Sequence, residues 1–516
     1  MCGIAGLYNY HSTKEPSTEL NVKKMLALIN HRGPDESGVF LDNNIGIGSV
    51  RLSIIDLASG QQPLPDWTER YWIVYNGEIF NYLELRSQLE KKGIRFKTTS
   101  DTEVVVQMYA FYGAECLNQF NGQFAFCIWD RNKKEMFLAR DRVGIRPLFY
   151  WHQNGAFAFC SEIKGLFSLS QIERALDEES LSQVFTFWTT ITPKTPFKNI
   201  FELQPGHFMR VNSNEIHIQK YWSMNFTSGK DNQTRNLSDS IDELDELLHD
   251  AVKVRLRADV PVGAYLSGGL DSSVTTAYIK AINPEMLNTF SIGFTDKEYD
   301  ETAYQLEAAK FFGTNHTAFS CTSEELAESF AETIWHTEFP ILRTSPTPMF
   351  LLSKKVRENH IKVVITGEGA DEFLAGYNIF KEAKIRRFWA NEPNSTARPK
   401  LLAKLYPYIP LLKNSPDLAL KMFFGYKLKE TEDPLYSHLL RWHNTSRIKS
   451  FFSDDLGSSL NGNNPLDEVY KTLPSGFGNW TNLSQSQYLE ATIFMSSYLL
   501  SSQGDRMAMG NSVEGR

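Results

Sequence analysis

Cysteine is scarce in this 516-residue chain: the five residues Cys2, Cys116, Cys127, Cys160 and Cys321 are odd in number, and no two of them form a CxxC pair. That scarcity argues against a disulfide framework and against a structural zinc site, and it fits a reducing, cytoplasmic setting. Cys127 and Cys160 sit inside apolar, strand-like runs and are expected as core thiols. Long hydrophobic runs are missing as well. None approaches the roughly 18 residues of a membrane span, and the chain does not open with a basic stretch followed by an apolar core, so no membrane association is expected. Positive charge is in deficit, with 53 Lys and Arg against 61 Asp and Glu and a formal net charge of −8. Binding a polyanion needs a basic patch, so nucleic acid is not an expected partner. A chain of this length, 42% hydrophobic and 22% charged, is too long for one core and should hold two or more domains.

What is present begins at the second residue, in MCGIAG. Once Met1 is removed, the Cys2 thiol stands beside its own α-amine, whose ordinary pKa of roughly 7.7 to 8.0 makes it a base at neutral pH. Four polar knots follow between apolar runs: HRGPDESG (31–38), RLSIIDL (51–57), YNGEIFN (75–81) and SDTEV (100–104). The planar fork of Arg51 can grip a carboxylate and Asp101 can pair with an α-ammonium, so the two could hold a free amino acid by its charged ends. Asn76 offers a side-chain amide and Gly77 an unhindered N–H, the donors from which an oxyanion hole is built. In isolation Asn76-Gly77 reads rather as a hairpin turn, and Arg51 as a surface cation; MCGIAG ahead of them reverses both. Together with GQFAFCIWD (122–130) and LARDRVGIRPLFY (138–150), the constellation resembles the class II glutamine amidotransferases from Cys2 to about Lys164. The resemblance implies an α+β N-terminal-nucleophile hydrolase sandwich that frees ammonia from glutamine through a thioester on Cys2. It assigns catalysis to Cys2, Asn76 and Gly77, and glutamine binding to Arg51, Leu52, Ser53, Ile54, Ile55, Asn76, Gly77, Glu78 and Asp101.

Periodicity divides the chain. Up to about residue 165, short strands (3–8, 71–75, 124–129, 135–139, 148–152, 156–160) alternate with helical stretches near 18–30, 82–92 and 102–112, an α+β pattern with mostly antiparallel sheets. A tract dense in Asn, Ser, Thr and Gly, Ser223 to Asp239, reads as a linker. The expected units are an amidotransferase domain with its extension over 1–215, a linker over 216–239 and a second domain over 240–516. Ser240 with Glu243 reads as a capping box opening a helix whose Ile241, Leu244, Leu247, Leu248, Ala251 and Val252 share a face. Beyond it, VPVGAYL, NTFSIGF and KVVIT read as buried parallel strands, with crossover helices near 271–282, 301–312, 323–335 and 347–358 and a second capping box at Thr322 and Glu325. That is an α/β, doubly wound sheet, which places its ligand at the carboxyl ends of its strands.

Two loops lie at those ends. SGGLDSS (267–273) precedes a helix, and its glycines, hydroxyls and helix N-terminus suit phosphate. TGEGADE (366–372) carries acids, which beside phosphate imply an intervening cation. Asp271 and Asp371 are therefore candidate Mg²⁺ ligands, and Glu368 is left for proton transfer. The first loop resembles the pyrophosphate loop of ATP pyrophosphatases. With FSIGF, YDET (299–302), LRTSPTPMFLLSK (342–354) and GDRMAMGNSVEGR (504–516), the whole resembles the glutamine-hydrolysing asparagine synthase family up to about Tyr377 and again over the last two dozen residues.

This resemblance implies glutamine, aspartate and ATP as substrates, Mg²⁺ as the metal, an acyl-adenylate intermediate and an interdomain ammonia tunnel, and it leaves a homodimer open. It places ATP at Leu266, Ser267, Gly268, Gly269, Asp271, Ser272, Ser273, Ile292, Thr366 and Gly367, and makes Arg343 the candidate for an acceptor carboxylate. Residues 380–486 suggest no chemistry. Family members continue past the position of Arg516 with a segment carrying a lysine that has no counterpart here, so a longer parent protein is expected. Competing readings are the same chemistry on a cell-wall or natural-product acid, a β-lactam-forming homologue, and a non-catalytic homologue that keeps the fold.

Overall fold

The computed structural model describes residues 2–10, 17–226, 236–296, 300–407, 409, 412 and 414–516. Met1, Tyr299 of the YDET motif and residues 227–235 of the expected linker lie outside these described residues. The strand Cys2–Asn9 is buried along its whole length. It pairs antiparallel with Ile45–Arg51 on one side and, from Ala5 onward, with Ala156–Cys160 on the other. These three strands belong to a six-stranded sheet, and a second six-stranded sheet contains Tyr71–Ile79, Gly122–Asp130, Glu135–Arg140 and His207–Val211. The facing sides interdigitate Ile4, Tyr8, Ile45 and Ile47 with Val74, Cys127, Trp129 and Leu138. Helices cover both outer faces, Ser17–Leu28 on the first sheet and Tyr82–Glu90 with Asp101–Tyr112 on the second. The expected α+β sandwich is thus present, and Cys127 and Cys160 are buried in it.

Asn76 and Gly77 do not turn a hairpin. They lie within the strand Tyr71–Ile79, opposite Ala125 and Phe124.

The second half is a five-stranded parallel sheet in the order Asn315–Cys321, Asn288–Phe294, Val262–Tyr265, Val363–Ile365, Glu514–Gly515. The chain starts at Val262–Tyr265, builds outward on one side, then returns to build on the other. Its switch point therefore falls between Val262–Tyr265 and Val363–Ile365, the two strands that feed the glycine loops, where an open α/β sheet forms its crevice. The helix before this sheet begins at Leu237, capped by the Asn236 side chain, and not at Ser240. Ser240 lies inside the first turn and bonds back to Asn236 O, because an Asn four residues earlier caps just as well. The second capping box, at Thr322 and Glu325, forms reciprocally as read. Residues 378–489 add helices, among them Asn378–Ala390, Tyr436–Ser446 and Asn482–Leu489. The last of these runs on into a 16-residue π-helical stretch, Glu490–Asp505, that reaches back to the interface with the first half.

Candidate active site

Strand pairing brings the first group of residues together. Cys2 lies opposite Arg51 in the register of adjacent strands, and Asn76 reaches it from the other sheet, its Oδ1 accepting from Cys2 N at 3.2 Å. Asn76 Nδ2 is buried without a hydrogen-bond partner among the described residues, so a donor stands ready beside the thiol. Burial pushes the Cys2 thiol above its ordinary range, while the Arg51 charge draws it down. Arg51 holds the following loop through Ile55 O at 2.9 Å and Asp56 O at 2.7 Å and pairs with Glu36 at 3.0 Å, leaving two of its five N–H groups. Asp101, at the start of its helix, accepts from Tyr75 Oη at 3.0 Å and Ile79 N at 3.3 Å. Leu52, Ile54, Ile55, Gly77, Glu78 and Asp101 line a cleft with Cys2 and Arg51 of about 20 Å³. That is room for one water, not for an amino acid.

Three further residues bear on this cleft, of which Gln62 carries no signal in the local sequence while Arg32 and Arg516 lie in motifs that assigned them no role. Gln62 places Nε2 3.8 Å from Cys2 Sγ, while its own Oε1 accepts from Tyr75 N at 2.7 Å. Arg32 donates from Nε to Cys2 O at 3.3 Å. Arg516, from the far end of the chain, donates to Glu78 Oε2 at 3.1 Å.

The second group assembles at the sheet's switch point. In the Ser267–Ser273 loop the two serine hydroxyls of Ser267 and Ser272 lie 3.0 Å apart, and Ser272 Oγ accepts from Ser267 N. Gly268 has φ +78°, and a Cβ there would stand 2.6 Å from the Tyr304 backbone, so this turn is closed to any side chain. Gly367 of the facing loop approaches so closely that a Cβ would meet Asp271 at 3.1 Å. The acids therefore crowd one another. Burial, then the charges of Glu372, Asp371 and Asp271, push Glu368 up to about 7, and burial followed by Asp271 raises Asp371. Leu266 is buried and takes the carbonyl of Phe290, and Thr366 bonds Arg516 O through its N–H at 2.9 Å. Ile292 O accepts from Gln305 Nε2 at 2.9 Å.

A cavity of about 630 Å³ opens over these loops and is lined by Asp271, Thr366, Gly367 and Glu368, by Leu244 to Arg255 of the preceding helix, and by Gln123 and Arg146 of the first half. Arg343 is not in its wall. Its guanidinium is drawn instead onto the ring of Trp188, 4.7 Å from the centroid, a residue of the first half whose backbone is left-handed at φ +72°. The interface beneath the cavity is ionic and buried: Asp505 binds Arg32 at 2.8 Å and Arg146 at 2.7 Å, and Arg506 binds Glu162 at 3.5 Å.

Residues 1–222 match the glutamine amidotransferase domain family, and residues 243–516 match the asparagine synthase family. Similar proteins include glutamine-hydrolyzing asparagine synthetase 1 of Bacillus subtilis, 33% identical over 516 residues that span 100% of this chain and 78% of that protein. A putative glutamine-hydrolyzing asparagine synthetase 2 of Methanocaldococcus jannaschii is 36% identical over 399 residues, 73% of this chain and 76% of its own length. The amidase chyE of Penicillium rubens is 31% identical over 563 residues, covering 100% of this chain and 80% of that protein.

Proposed function

This chain belongs to the asparagine synthase family and is a carbon–nitrogen ligase of its glutamine-hydrolysing kind, and we propose that it converts aspartate, glutamine and ATP into asparagine, glutamate, AMP and pyrophosphate. The observation that carries this reading is that the two candidate sites abut. Glu78 lines the thiol cleft and pairs at 3.1 Å with Arg516, which lines the larger cavity. Ammonia released at one would need to cross little more than that pair, and a short protected path keeps it unprotonated.

In the first reaction the Cys2 thiol, deprotonated by its own freed α-amine, attacks the glutamine amide. Arg51 and Asp101 hold the amino acid by its ends, and Asn76 Nδ2 with the Gly77 N–H takes the oxyanion. Because the cleft is only about 20 Å³, glutamine entry requires the Leu52–Ile55 loop to move. In the second reaction a carboxylate oxygen of the acceptor attacks the α-phosphorus of ATP and pyrophosphate leaves. Ammonia then attacks the acyl carbon, gives up a proton to Glu368 and displaces AMP. A base raised to about 7 is well matched to that transfer at neutral pH.

Asp271 and Asp371 make no ion pair among the described residues, and the charge of Asp271 is felt at Asp371, so two unpaired carboxylates stand close together. This fits Mg²⁺, which is commonly held by one or two carboxylates together with substrate phosphates. Bound there, it would neutralise phosphate charge.

The relationship to the amidase chyE supports a second reading, the same chemistry on a different carboxylic acid. Pyrophosphate release with glutamine and ATP against a panel of acids, aspartate first, separates the two. In the same assay Cys2→Ala should abolish glutamine-driven amide formation and retain the ammonia-driven reaction. A variant that still hydrolyses glutamine would refute the nucleophile.

A further inference from the structure

Three guanidinium groups line the 630 Å³ cavity, those of Arg146, Arg255 and Arg516. Two of them already have anionic partners: Arg146 binds Asp505 at 2.7 Å, and Arg516 binds Glu78 and Glu514. Arg255 has none. Among the described residues it forms no ion pair, its guanidinium's one hydrogen bond runs from Nη1 to Ala251 O at 2.9 Å on its own helix while its backbone carbonyl accepts from Arg516 Nη1 at 2.8 Å, and the guanidinium lies 4.5 Å from the ring centroid of Phe80. A stacked, pre-positioned guanidinium with most of its N–H groups unused, facing a cavity, is built to receive a planar anion bidentately.

We propose that Arg255 binds the acceptor's second anionic group, the carboxylate that is not activated, and so selects dicarboxylic over monocarboxylic acids. The proposal rests on the amide-forming reading above and deepens it. Burial and the like charge of Arg516 disfavour the Arg255 cation, and an arriving carboxylate relieves both. ATP phosphates are the competing anion. They have their own donors in the Ser267–Ser273 loop, whereas Arg255 ends its helix and is tied through its carbonyl to Arg516, with which it shares the cavity wall.

The test uses ammonia-driven pyrophosphate release by the whole chain, measuring KM for aspartate and for ATP in Arg255→Gln, Arg255→Lys and Arg343→Gln, with thermal midpoints to confirm folding. Arg255→Gln should raise the aspartate KM at least tenfold with the ATP KM changed by less than about twofold, and Arg255→Lys should recover part of the loss. An unchanged aspartate KM, an equal rise in the ATP KM, or a rise in Arg343→Gln alone would each overturn the proposal. If the parent enzyme turns over another acid in place of aspartate, the aspartate reading fails by itself and the same ratio is measured on that acid. Should that acid carry no second anionic group, Arg255 has nothing to select and the proposal falls.

Discussion

Glu368 combines two effects that pull against each other. Its carboxyl is raised from the ordinary 4.5 to about 7, so the fold favours the protonated form. The resulting stabilisation is fully present below about pH 4.5 and is lost as pH rises through 7, where the carboxylate needed as a base appears. Glu368→Gln is neutral at every pH. In a chelator-containing buffer it should be the more stable protein at pH 8, by a margin that solvent screening of this exposed side chain keeps small, with the difference vanishing near pH 4.5. The same variant should stop making amide while still hydrolysing glutamine at Cys2. Equal urea midpoints at pH 8 would remove the account of a carboxyl raised by its acidic neighbours. Residues of this kind were readable from the chain because their loops carry them at short spacing: Glu368 with Asp371, Arg51 with Leu52 to Ile55, Asn76 with Gly77. Gln62, Arg255 and the Glu78–Arg516 pair were not. The last joins positions 438 residues apart, and nothing near either residue announces the other.

Among the elements, the strand–loop–helix unit around Ser267 is the most constrained by backbone geometry. Gly268→Ala places a Cβ in left-handed backbone 2.6 Å from Tyr304, a steric and conformational penalty above about 1 kcal/mol. It should lower the thermal midpoint and raise the ATP KM, read by pyrophosphate release. A fully active Gly268→Ala would mean that the loop opens in solution. The strands and helices that were read owe this to apolar alternation and continuous buried runs, which are local signals, whereas Glu36–Asp42, Ile45–Arg51 and the helices between Ala370 and Asp505 were not read. The strand Asn315–Cys321 escaped, since its exposed, polar sequence carries neither signal. The helix Leu237–Arg255 was found, but its start and face were misread. Ile241 and Leu247 are exposed, while Val252 and Val254 are buried, as the helix meets the sheet only with its last turns. The π-helical turn of Glu490–Asp505 has no sequence mark in this chain that we can identify, and it is set by packing against the first half, where Ser496 Oγ reaches Val143 O.

At the scale of the molecule, the two halves are joined by buried charge. Burial alone would raise Asp505, but Arg32 and Arg146 outweigh it and hold the carboxyl below the usual range. Its contribution is therefore present above about pH 4 and is lost as the pH falls through its lowered value. Asp505→Asn leaves Arg146 without an anion and Arg32 with Glu162 alone, and should cost about 3–5 kcal/mol, lowering the calorimetric midpoint and splitting one unfolding transition into two. A single transition at the parent's temperature would show that the halves are held mainly by other contacts. Those other contacts include the loop after Arg51: Leu52, Ile54 and Ile55 pack on Val363 and Met509 of the second half. Asp259 N–H donates to Ile54 O at 2.9 Å while Asp259 Oδ2 accepts from Asp56 N at 2.8 Å. Heredity meets a constraint there. A recombination event that joined this front half to the back half of a distant cousin would carry over one side of that clasp without the other, so the loop and residues 258–260 must be inherited together, as a single trait written in two places.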